Sequence, residues 1–97
     1  MLLEVAEIYI KDGTQSQFEA AMKQSLDLYV GVTEGYISGE IRQSLETPTR
    51  YLLLIKWASL EAHEENFRAS DRFQSHRALV SPFFAKAPYV EHFQLCK

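Results

Sequence analysis

The seven residues Tyr51–Trp57, YLLLIKW, carry a single charge at Lys56 and are otherwise Leu, Ile and aromatic. A run of that length and content fits a strand covered on both faces. From Ser59 the apolar spacing changes from two to between three and four: Leu60, His63 and Phe67 share one stripe, and beyond Ser70–Asp71 so do Phe73, His76 and Val80. The strand therefore runs into two short helical segments that carry two of the three histidines inward among aromatic neighbours. No other part of the chain combines an apolar wall with titratable groups.

The segments around this stretch complete a simple order. Met1–Ile10 alternates, with Leu2, Ala6, Ile8 and Ile10 sharing a face with Glu4, and Leu3, Val5 and Tyr9 sharing the other with Glu7; both faces are apolar enough to be covered. After Lys11–Asp12–Gly13, Thr14 and Gln17 fit a capping box. Phe18, Met22, Ser25, Leu26 and Tyr29 then follow at helical spacing, and this predicts an amphipathic helix ending near Val30–Gly31. Tyr36–Leu45 reads as a strand, with Ile37, Gly39, Ile41, Gln43 and Leu45 on one face and Tyr36, Ser38, Glu40, Arg42 and Ser44 on the other. Gly39 within it signals a bulge or a close approach. The turn Thr47–Pro48–Thr49 pairs this strand with Tyr51–Trp57 as an antiparallel hairpin. Ser59, and then Ser70 or Asp71, cap the two helical segments, and Ser81–Pro82 ends the second. Phe83 and Phe84 point in different directions at a cavity mouth, and Tyr89–Leu95 forms a last strand.

Strand, helix, strand, strand, helix, strand is the βαββαβ order of an α+β, ferredoxin-like domain, an antiparallel sheet with helices on one face. Residues 1–97 form one domain. Its other sheet face has no third layer to cover it, which predicts a homodimer that packs sheet on sheet into a barrel-like core. Composition narrows the function. A chain that is 46% hydrophobic can pack a core. Its formal charge of -3 and scattered basic residues argue against a nucleic-acid partner. No apolar run reaches the ~18 residues a membrane span needs. Glu4 and Glu7 interrupt any signal peptide, and the single Cys96 is read as a free thiol, so the expected location is cytoplasmic. No H-x-x-x-H or C-x-x-C spacing supports a metal site; one would require His63, His76 and His92 to converge, and His92 on its strand reads as structural.

The pieces AEIYIKDG, GYISGEIRQSLETPTRYLLLIKW, SLEAHEENFRASDRFQSHRAL and VEHF, in this order, resemble the antibiotic biosynthesis monooxygenase family of dimeric α+β barrels. The resemblance implies the barrel dimer and opens several activities: cofactor-independent oxygenation of aromatic polyketides, quinol oxygenation, haem degradation and isomerisation. Haem-degrading members use an Asn on the first strand, a Trp on the second helix and a His on the one that follows. His76 matches that His, but Asn66 stands at the Trp position and Ala6–Glu7 at the Asn, which argues against haem. The expectation is a monooxygenase that takes a flat phenol or quinone-like molecule and molecular oxygen, with no cofactor. Such an enzyme needs an apolar aromatic pocket, one base and donors for the phenolate oxygen. Trp57, Phe67, Phe73 and Phe84 can wall the pocket, His76 or His63 can act as base, and Asn66, Tyr36 or Arg77 can donate to the oxyanion. The competing expectations are a non-catalytic dimeric module for a small hydrophobic ligand or stress tolerance, and an isomerase on the same scaffold.

Overall fold

Strands β1 (Leu2–Tyr9), β2 (Tyr36–Gln43), β3 (Arg50–Trp57) and β4 (Tyr89–Phe93) form one antiparallel sheet in the order β2-β3-β1-β4. This is a computed structural model that describes residues Met1–Lys97. Helix α1 (Gln15–Ser25) continues into a wide π turn, Leu26–Val30. A second wide-turn helix, Ala62–Arg68, precedes α2 (Asp71–Val80), which closes in a short 3-10 turn at Ser81–Phe83. The element order is the βαββαβ α+β arrangement read from the sequence.

Alternation determines which face the helices cover. Glu4, Ala6 and Ile8 of β1, Ile10 just beyond it, and Tyr51, Leu53, Ile55 and Trp57 of β3 are buried, and they pack against Phe18, Met22, Val30, Ala62, Phe67 and Val80. Each such large apolar side chain contributes about 1.5–3 kcal/mol by leaving water. The opposite face keeps Leu3, Val5, Leu52 and Leu54 half-buried, with Tyr89 and Phe93 exposed at its edge. No helix of this chain covers it.

Local chemistry explains the joints. The Ser59 hydroxyl accepts the Ala62 N–H at 3.1 Å and starts the second helical region. The expected capping box does not form: Thr14 Oγ1 donates to the Lys11 carbonyl at 2.6 Å instead. Ser70 stands at the break before α2 in an extended conformation, but its hydroxyl turns back to the Phe67 carbonyl at 2.6 Å. In β2 the register shifts between Tyr36 and Ser38, so Tyr36 opposes Trp57 and Gly39 opposes Ile55. That bulge moves Tyr36 onto the helix side, contrary to strict alternation. A Cβ at Gly39 would lie 2.9 Å from Tyr36 Oη, the close approach that this glycine permits. Gly35 adopts φ +93, and a Cβ there would meet Ala62 Cβ at 2.4 Å. The terminal strands are shorter than periodicity predicts: β2 stops at Gln43 rather than Leu45, and β4 at Phe93 rather than Leu95.

Candidate active site

A cavity of about 330 Å³ lies between the inner sheet face and the helices. Ala6, Ile8, Leu53 and Ile55 form its floor, Met22, Val30, Phe67, Phe73 and Val80 its roof, and Arg68, Arg77 and Lys86 add positive charge. Of the residues selected from the sequence, His63, His76, Phe67, Phe73, Phe84 and Arg77 line it. Trp57, Tyr36 and Asn66 do not. Trp57 is fully buried behind His63, their rings stacked with centroids 5.3 Å apart. Tyr36 meets the far side of Trp57 edge-on at 6.0 Å. The Asn66 side-chain amide donates to the Glu34 carbonyl at 3.0 Å, and the Asn66 backbone carbonyl accepts from Arg72 at 2.7 Å, so it fastens the helix to the loop before β2.

The residue that sequence reasoning passed over is Glu4. It is only 5% exposed and lines the cavity. Trp57 Nε1 donates to Glu4 Oε1 at 2.9 Å, and His63 Nε2 approaches the same oxygen to 3.3 Å. Oε2 has no protein partner, and no buried polar side-chain atom is left unsatisfied, so this oxygen must face open space. Burial lifts the Glu4 carboxyl to about 7, against the Trp57 hydrogen bond, which lowers it. The clue was available: Glu4 is the one charged residue on the face shared by Leu2, Ala6, Ile8 and Ile10.

The histidines divide into two groups. In β4, His92 stands directly opposite Glu4, and its Nε2 lies 2.7 Å from His63 Nδ1. Burial lowers His63 to about 4, helped by the nearby charges of His92, Arg68 and His76. Glu64 approaches both rings at 3.8–3.9 Å. The 2.7 Å between the two nitrogens is a hydrogen-bond distance; two donors sharing one zinc ion stand about 3.3 Å apart. His76 stays apart from this pair, with Nδ1 2.6 Å from Ser25 Oγ. Ser25 is wholly buried and has no other hydrogen-bond partner, so its hydroxyl donates to Nδ1 and the proton of the neutral ring sits on Nε2. Burial lowers His76 to about 4, which keeps that ring neutral. The arrangement joins a carboxyl poised near neutrality to a neutral N–H donor in an apolar, aromatic-walled chamber.

Residues 1–79 match the family model described as antibiotic biosynthesis monooxygenase. The chain belongs to this family. It is 39% identical over 94 residues to the uncharacterised Bacillus subtilis protein YczJ, covering 97% of this chain and 98% of that one. A Bordetella bronchiseptica structure, described by the same family, shares 33% identity with a TM-score of 0.92 and covers 99% and 97% of the two chains. SnoaB of Streptomyces nogalater, described as a cofactor-independent oxygenase, superposes with a TM-score of 0.83 over 99% of this chain and 93% of that one. At 12% identity that last likeness shows the fold alone. Within the antibiotic biosynthesis monooxygenase match lie Glu4, His63 and His76, whereas His92 lies beyond it. No helix is long and apolar enough to cross a membrane.

Proposed function

We propose that this chain is a homodimeric oxygenase that takes a flat phenol or quinol and molecular oxygen, using neither metal nor organic cofactor. The observation that carries the reading is Glu4: a carboxyl buried in an apolar chamber, tuned near neutrality, with one oxygen held by Trp57 and the other free. Glu4 Oε2 takes the proton of the substrate hydroxyl. The Nε2–H of His76 and the guanidinium of Arg77, which forms no ion pair, stabilise the resulting oxyanion. The electron-rich anion then reduces dioxygen directly, one oxygen atom entering the product and the other leaving as water. Phe67 and Phe73 supply flat walls for an aromatic ring. The description of SnoaB as a cofactor-independent oxygenase supports the same chemistry on this fold. The apolar outer sheet face supports dimerisation.

The test is oxygen uptake with a panel of quinols and anthrone-type phenols. Glu4→Gln is expected to lower turnover by roughly a hundredfold or more. The proposal fails if no substrate is consumed above the Glu4→Gln and His76→Ala background. Equal turnover under strict anaerobiosis would replace it with the isomerase reading.

A further inference from the structure

A base enclosed in an apolar chamber must lose its proton before it can act again, and Glu4 has almost no direct contact with solvent. The side chains behind it run outward in sequence. Glu4 Oε1 lies 3.3 Å from His63 Nε2, His63 Nδ1 lies 2.7 Å from His92 Nε2, and the His92 side chain is 24% exposed on β4. We infer that Glu4, His63 and His92 form a line that carries a proton between the chamber and solvent. The inference rests on the reading of Glu4 as the base.

The transfers balance. Glu4 starts as a carboxylate and Oε2 takes the substrate proton; a half-turn of the carboxyl group then brings that O–H to His63 Nε2, which takes the proton and restores the carboxylate. His63 releases its Nδ1 proton to His92 Nε2, and His92 releases its Nδ1 proton to water. Each imidazole ends with the proton count it began with, in the other tautomer. The charged and titratable groups around the line favour outward transfer. Glu64, on the His63 helix, stands beside the joint between the two rings, 3.9 Å from His63 Nδ1 and 3.8 Å from His92 Nε2, and favours a proton passing between them. Arg68 bears on His63 from the same helix, and its positive charge opposes a proton resting there, while His76, facing His63 from α2, stays neutral. Trp57 stacks on His63 and donates to Oε1, which fixes both groups in place.

The single tryptophan is also a reporter, since it touches both Glu4 and His63. Trp57 fluorescence is to be followed after stopped-flow pH jumps across neutrality on the full chain, with no substrate present. In the wild type the change is expected to finish within the mixing time. His92→Gln keeps an amide able to bond His63 Nδ1 but cannot pass a proton on, so relaxation should slow roughly tenfold or more. Added imidazole should restore it in proportion to its concentration, which a purely structural His92 would not allow. His63→Gln should slow it equally, with no rescue at this buried position. Relaxation at the wild-type rate in both variants overturns the line. Glu4→Gln should abolish the signal; a full signal there would show that another group titrates, and both the line and the reading of Glu4 as base would fall. A signal that depends on Glu4 but relaxes at unchanged rates removes the line alone.

Discussion

Three buried titratable groups set how this molecule responds to pH, and they act in opposite directions. Glu4 rises from an ordinary 4.5 to about 7, so its stabilising contribution is full below 4.5 and is lost as pH rises through 7. His63 and His76 fall from 6.5 to about 4, so theirs is full above 6.5 and is lost as pH falls through 4. Between about pH 4.5 and 6.5 the unfolded chain holds two imidazole protons that the folded chain lacks, and the folded chain holds one carboxyl proton that the unfolded chain lacks. The net difference is one proton, and stability should climb by about 1.4 kcal/mol per pH unit across this window. In the double variant His63→Gln, His76→Asn only Glu4 remains, and the slope should change sign. Urea melts at a series of pH values would read it, and an unchanged slope would show that these groups titrate normally when folded. Glu4 was hard to read in the sequence for a physical reason. A lone charge on an alternating strand usually marks the wet face, and only the helices packed over that face make it a buried acid.

The elements themselves were legible where short-range chemistry decides them. Ser59 caps its helix, Pro82 follows the end of α2, and the hairpin across Thr47–Pro48–Thr49 pairs as its turn residues imply. Long-range contacts decided the rest. Tyr36 changes face because a bulge lets its ring lie over Gly39, and Asn66 is drawn from the cavity by a carbonyl on the loop before β2. His63 and Phe67 share the inner side of the wide-turn helix as their spacing suggested, and their rings run nearly parallel at 22°. The most demanding joint is Gly35, where a side chain would combine a left-handed backbone with a collision against Ala62. Gly35→Ala should cost about 2–4 kcal/mol, enough to lower the melting temperature by roughly 10 °C or more in a domain of this size. A scanning calorimetry trace unchanged by this substitution would contradict the joint.

At the scale of the whole molecule, the outer sheet face leaves Leu52 and Leu54 only half-buried at the centre of the sheet, with the Arg50–Glu7 ion pair at 2.7 Å beside them. A second copy laid over that face would shelter both leucines. Leu54→Glu sets a charge in the middle of it and should convert a dimer to monomer or aggregate in sedimentation velocity. A wild type that sediments at the mass of one chain while remaining folded would exclude the dimer. The edge strand ties this face to the chamber. Tyr89, Glu91 and Phe93 point outward along β4 while Val90 and His92 point in, so any surface that clamps the two outer rings also sets the height of the imidazole between them. In the proposed dimer, dilution should therefore reach the chamber itself: as copies separate, His92 would drift from His63, and proton exchange with the chamber would become concentration-dependent.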